Sequence, residues 1–287
     1  DANTNTNTNT NTNTNTENNN AYKQSFGLLN DISNEDWEKI RQTANTQSIY
    51  KNPDNPLERV DETEYWMVNN LTPNFDCKHK EQVGGQNLED GVKFICNPKR
   101  LITPEKKDCL IYSIGSAGNF VFEDAMYEIH SSKCEIHVFD PASKWARKDD
   151  PTVKNIHYHA WGFVSDDRVV KSKVWPAGSR GGFKTFQETL KELGHEGKTI
   201  DLFKMDCEGC EYNTYKDWIG YDIRQILVEV HGVPTPTKGN RWTPDPLDVS
   251  VYYGDYLKNG YALYHKHIHG NGIELGYLKL DPEFWKA

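Results

Sequence analysis

No stretch of this 287-residue chain stays apolar for the ~20 residues that a membrane-spanning helix needs, so it shows no bilayer segment. Basic charge is short as well: 33 Lys and Arg face 42 Asp and Glu, for a net charge of -9. A general nucleic-acid binder needs a basic stripe to displace phosphate counterions, and this balance argues against one. The single C-x-x-C, Cys207 to Cys210, has no second copy with which to complete a four-thiolate zinc site. A full G-x-G-x-x-G is missing too, which counts against a pyrophosphate-binding dinucleotide site. Nor does the chain begin with Met. Its first residue, Asp1, is what a fragment or a processed form would show, so the lack of a leader or anchor says little about targeting.

What is present opens with an Asn-Thr repeat from Asn3 that has no apolar side chain to bury. Residues 1–20 are therefore expected to be a disordered tail, with structure starting near Ala21. Ser33, followed by Asn34, Glu35 and Asp36, reads as a helix N-cap with an acidic first turn, opening a helix that runs to Tyr50. A second helix is expected after Asn55-Pro56, stopped by Pro73. Phe75 to Asn97 reads as irregular, and residues 21–106 together as a helical N-terminal extension. Asn70-Leu71-Thr72 is a glycosylation sequon, a triplet common by chance.

The texture changes at Asp108. CLIYSIG, CEIHVFD, NIHYHAWGF, IDLFKMD and RQILVEVH are short apolar runs, alternating with helix-like segments such as FVFEDAMYEIH and FKTFQETLKELG. Strands alternating with helices imply right-handed βαβ crossovers and a parallel sheet covered on both faces. YALYHKHIH and IELGYLKL, joined through Gly270-Asn271-Gly272, close residues 107–287 with an antiparallel hairpin.

The chemistry should sit where the strands end. Ile114-Gly115-Ser116-Ala117-Gly118-Asn119 is a strand running into a glycine-rich turn, which serves a tight turn or a ligand equally. The next strand ends at Asp140, placed either to hold ribose hydroxyls or to open an Asp-Pro turn; the glycine turn upstream favours the first.

Taken in order, GSAGN, CEIHVFDP, HYHAWGF, IDLFKMDCEGCEY and RQILVEVH resemble the class I S-adenosylmethionine-dependent methyltransferases, and most of all their FkbM-type branch and related animal and algal methyltransferase-like proteins. GGQNLEDGVKFIC, Gly84 to Cys96, extends the likeness upstream, so that it spans roughly Cys77 to Leu280. The resemblance implies an α/β, Rossmann-like fold with S-adenosylmethionine as cofactor. Gly115, Ser116, Gly118 and Asn119 would face its methionine part, Asp140 its ribose, and Ala160 and Trp161 its adenine, although a tryptophan there also packs well. Ser113 departs from the pattern, since many members have an acidic residue at that point.

Asp206 ends the fourth strand of this series, at the edge where open α/β sheets bind ligands, and Glu208 follows on the turn. A carboxylate there can orient a hydroxyl, act as a base, or hold a divalent metal, for which the sequence gives no separate support; a self-bonded turn is the plainer reading. His231, ending the fifth strand, is the preferred base, because imidazole titrates near neutral pH; a structural histidine is the competing reading. His265, His267 and His269 share a strand face, which suits a solvated hairpin end better than a metal. Cys207 and Cys210 follow a late strand, unlike a thioredoxin-type dithiol, and read best as part of the acceptor-side rim. Cys77 and Cys96 suit a disulfide in an oxidising compartment, and a secretory location is slightly favoured.

The expected function is methyl transfer to a glycan or small-molecule hydroxyl, with Trp175 and Trp242 in segments able to cover the sheet edge. The alternative is a secreted or lumenal binding module on the same fold without catalysis. Oligomeric state is not legible in the sequence.

Overall fold

In the computed structural model, residues 19–50, 69–85, 92–103, 106–146, 154–166, 182–232, 249–269 and 272–286 are described. The Asn-Thr tract, the helix expected after Pro56 up to residue 68, and Trp175 and Trp242 lie outside them.

Strand β3 (Cys109–Ile114) is buried at every position, as is β8 (Ile200–Met205). That is why both are mostly apolar without a regular polar alternation, Ser113, Asp201 and Lys204 being the polar exceptions: a parallel strand covered on both faces has no polar side to alternate with. With β4 (Cys134–Phe139), β5 (Ile156–His159), β9 (Ile223–His231), β10 (Tyr261–His269) and β11 (Gly272–Lys279), they form one seven-stranded sheet in the order β10-β11-β9-β8-β3-β4-β5. β11 runs antiparallel to both β9 and β10, and the rest pair in parallel. The expected hairpin therefore closes the sheet.

Two apolar layers follow from strand alternation. On one face Leu110, Tyr112, Ile114 and Phe203 pack with α4 (Phe186–Leu193), α5 (Cys210–Trp218) and α6 (Val249–Lys258). On the other, Ile111, Ile136 and Leu202 pack against Phe122 and Met126 of α3 (Val121–His130). The N-terminal segment shares this second layer. Ala21 of α1 (Asn20–Gln24) and Trp37, Ile40 and Ala44 of α2 (Asn34–Thr46) are buried in it, and the Trp37 ring meets Phe75 and Phe284 edge-on.

Ser33 caps α2 through the Asp36 N–H, as its sequence indicates. The helix stops at Thr46 rather than Tyr50, because Tyr50 is drawn into a β-bridge with Asn70. Asn70 is buried, so the sequon offers no exposed glycan acceptor.

Two stretches differ from expectation. Phe75–Asn97 contains a hairpin, β1 (Lys80–Val83) against β2 (Lys93–Cys96). It is docked by tertiary bonds: the Gln225 side chain accepts from the Cys96 N–H (3.1 Å) and donates to its carbonyl (2.9 Å). NIHYHAWGF is two strands rather than one: β5 joins the main sheet, while β6 (Trp161–Phe163) pairs with β7 (Gly182–Lys184) in a separate ribbon. Disulfides join Cys77 to Cys96, Cys109 to Cys134 and Cys207 to Cys210. The first was expected; the second links register partners at the starts of β3 and β4.

Candidate active site

The carboxyl ends of β3 and β8 meet. The Asp206 N–H donates to the Ile114 carbonyl (3.0 Å), and the Gly115 N–H to that of Phe139 (2.8 Å). Gly115 has φ +79°, and a Cβ there would fall 1.6 Å from the Asp206 carbonyl oxygen, so only glycine lets the two turns close together. Gly118 is required for a different contact, since a Cβ would lie 2.8 Å from the Trp145 ring.

Beyond these turns lies a cavity of about 450 Å³. Gly115, Ser116 and Asn119 line it from the β3 turn, Asp140 from the end of β4, and Asp206 and Glu208 from the end of β8. Gly162, Phe163 and Phe183 supply an apolar wall. Three residues expected beside the ligand are not among the lining residues: Gly118, which sits under Trp145, and Ala160 and Trp161. Side chains alternate along β6. Trp161 turns toward α4, where its indole N–H donates to Thr189 Oγ1 (3.3 Å) and Lys184 lies over its ring, while Gly162 is left at the cavity.

Asp140 is buried, and its carboxylate accepts the N–H groups of Ala117 and Ala142, both at 2.9 Å. It thereby ties the β3 turn to the β4 turn. Ser113 donates to the wholly buried Glu123 of α3 (2.5 Å), so a carboxyl group does approach the end of β3, from a helix rather than from the strand. Burial raises the pKa of that carboxyl.

Asp206 stands in a buried cluster of charges. Lys93, reaching in from β2, has its Nζ 2.6 Å from Glu274, 2.9 Å from Glu229 and 3.5 Å from Asp206. Burial opposes the Lys93 charge, but the Asp206, Glu274 and Glu229 carboxylates outweigh it and raise its pKa. Lys204 donates to the Gly115 carbonyl (3.1 Å), with its Nζ 3.9 Å from Asp206. For Asp206 burial is the larger influence, and its pKa is raised above the ordinary carboxylate value although Lys204 and Lys93 pull it down.

His231 is set by Glu211, which is fully buried at the start of α5. Glu211 Oε1 accepts from the His231 N–H (2.8 Å) and lies 3.2 Å from its Nδ1, while Oε2 accepts the Gly209 N–H (2.8 Å). The other ring nitrogen, Nε2, is 3.4 Å from Glu229, 3.8 Å from Glu208 and 3.9 Å from Asp206. Burial works against the imidazolium, yet the bonds to Glu211 and Glu229 and the charge of Asp206 raise its pKa to about 10. Asp206, Glu229 and His231 are close enough to share an ion, but here Lys93 and the protonated His231 supply the positive charge among the carboxylates.

The structure thus brings Asp206, Glu208 and His231 together, as their strand-end positions imply. Lys93, Glu211 and Glu274 escape sequence reasoning. Glu211 reads as an ordinary acidic residue in a helix's first turn, and Lys93 and Glu274 come from strands with no motif. His265 is buried with its ring stacked on Phe94, centroids 4.1 Å apart, so it is not at a solvated end.

A seven-stranded, mostly parallel sheet closed by an antiparallel hairpin, with its cavity at the carboxyl edge, defines a Rossmann-like class I methyltransferase fold. The chain belongs to the family whose model is described as a methyltransferase domain, which matches residues 19–279. That match does not single out the FkbM-type branch. Among solved structures, the 16S rRNA methylase ArmA is 10% identical with a TM-score of 0.29, over 60% of this chain and 74% of that one. A Methanococcus jannaschii fibrillarin pre-rRNA processing protein is 9% identical with a TM-score of 0.32, over 71% and 84%. Likenesses that loose carry no argument about substrate. No curated protein matches the chain. Among the described residues no helix is long and apolar enough to cross a membrane.

Proposed function

We propose that this methyltransferase uses S-adenosylmethionine to methylate a hydroxyl oxygen of a glycan or small molecule. The observation that carries the reading is Asp206: a half-buried carboxylate at the sheet's carboxyl edge, 17% exposed and lining the cavity, with a raised pKa. A cavity of about 450 Å³ with carboxylates on one side and Phe163 and Phe183 on the other fits the cofactor's polar and apolar parts. Gly115, Ser116 and Asn119 would hold its methionine end, and Asp140 its ribose. Each Asp140 oxygen accepts one backbone N–H, and a carboxylate has about four acceptor sites in all, so capacity remains for two hydroxyls. When bound, the cofactor supplies an electrophilic methyl whose carbon–sulfur bond breaks as the acceptor oxygen attacks in line.

The proton on the acceptor oxygen goes to Asp206, whose raised pKa matches base work near neutral pH. His231, preferred from sequence for that role, is already protonated with a pKa of about 10 and has no lone pair to offer. Its part is to stabilise the ionised Asp206 and to orient the acceptor. The three disulfides favour an oxidising compartment for the protein.

Calorimetry with S-adenosylhomocysteine should show one site, lost in Asp140→Ala. Incubation with methyl-labelled cofactor and an extract of the source organism should label a hydroxyl compound. A folded chain that binds no cofactor sinks the proposal, and label confined to a protein amine overturns the O-methylation.

A further inference from the structure

The face of the sheet that packs against α4 carries a second cluster, which methyl transfer does not use. Glu135 and His137 share one side of β4, and His195 follows α4. His137 Nε2 is 2.9 Å from Glu135 Oε1, and His195 Nε2 is 3.6 Å from the same oxygen. One ligand atom from each residue lies within 4.8 Å of the other two. Both imidazoles are held from behind: His137 Nδ1 is 2.7 Å from His159 Nε2, and His195 Nδ1 is 2.7 Å from the Tyr112 hydroxyl.

An imidazole that binds metal needs this arrangement, with one nitrogen fixed by an outer partner and the other aimed at the ion. In a tetrahedral site with bonds of ~2.0–2.1 Å, neighbouring ligand atoms are about 3.3 Å apart, between the two separations seen. We propose that Glu135, His137 and His195 form a binding site for a divalent transition cation of the zinc type, separate from the methyl-transfer cavity. Two imidazole nitrogens and one carboxylate select such an ion over calcium or magnesium. The histidine side chains are only 5% and 2% exposed, whereas Glu135 is 39% exposed, so the site opens to solvent on the Glu135 side and water takes the fourth position.

Metal ligands must be neutral imidazoles and ionised carboxylates. Lys198 faces both Glu135 and His195 and opposes the incoming charge, and Glu135 offsets it. A bound ion would pin β4 to the loop that leads into β8.

The test is calorimetric titration of the chelator-treated full chain, disulfides intact, with Zn²⁺ near neutral pH. One ion per chain is expected. His195→Gln and Glu135→Gln should each weaken binding by about tenfold or more, while Asp206→Asn binds as the parent does. Glu135 is partly exposed, so Glu135→Gln probes the site even if His195→Gln fails to fold. Co²⁺ in place of Zn²⁺ should give the visible absorption of a four-coordinate site, absent in Glu135→Gln. A folded parent chain that takes up no Zn²⁺ overturns the proposal, as does undiminished binding by Glu135→Gln. Binding lost in Asp206→Asn but kept in Glu135→Gln also overturns it, because the ion then belongs to the carboxylates beside the cavity.

Discussion

Replacing Lys93 with Met removes the cation shared by two buried carboxylates, Glu229 and Glu274, and the half-buried Asp206, while nearly keeping its volume. The ammonium is 3% exposed and lies 2.6 Å, 2.9 Å and 3.5 Å from Glu274, Glu229 and Asp206. Breaking a buried ion pair from one side leaves uncompensated charge and costs about 3–5 kcal/mol. The cost should depend on pH. In the parent, the raised Lys93 pKa gives stability that is complete below the ordinary value of 10.5 and is lost only as pH rises through the folded value, so it is constant between about pH 5 and pH 8. In the variant Asp206, already raised above 3.8 by burial, is raised further by its like-charged neighbours. A carboxylate with a raised folded pKa binds more protons folded than unfolded. Its contribution therefore worsens as pH climbs from about 4 through the folded value. Urea unfolding followed by tryptophan fluorescence, disulfides intact, should show a deficit of about 3–5 kcal/mol at pH 8 that shrinks toward pH 5. An equal deficit at both pH values, or one below about 1 kcal/mol at pH 8, refutes the reasoning.

Asp206→Asn should cut the rate of methyl transfer by roughly 10²–10⁴ while leaving S-adenosylhomocysteine bound in calorimetry. The parent rate should fall with acidification, as the raised Asp206 pKa is crossed and the base is protonated; an unchanged pH profile in the variant would exclude Asp206 as the base. Glu211→Gln removes the buried negative charge that favours the protonated His231, so the imidazole should titrate, by NMR, well below about 10, with a stability loss of about 1.5–3 kcal/mol. Replacing Cys77 and Cys96 with Ser opens a loop with a sequence separation of 19 and should cost about 3 kcal/mol in urea unfolding.

The parallel core was legible because burial on both faces favours short, mostly apolar runs, and these alternate with helix-like segments along the chain. β3, β4, β8 and β9 are such runs despite buried polar residues such as Asp201 and Lys204, and their ends locate Asp140, Asp206 and His231. The hairpin β1–β2 was not legible. Its strands are four residues each, and Gln225, 129 residues beyond Cys96, holds them against the sheet. β6 was misassigned to β5 for a related reason, because the partner that draws it away, β7, follows after a gap in sequence.

By itself, then, the sequence determined the alternation of strands and helices in the parallel core and the strand-end positions of Asp140, Asp206 and His231. KMDCEGCEY is a strand end followed by a tight turn, whichever side chains later surround it. Only the tertiary structure decided which protons those side chains carry. Lys93 from β2, Glu274 from β11 and Glu211 from α5 converge on Asp206 and His231 over long sequence distances. The charge state of a buried group depends on the solvent it has lost and the charges within a few ångströms, and no local pattern records either.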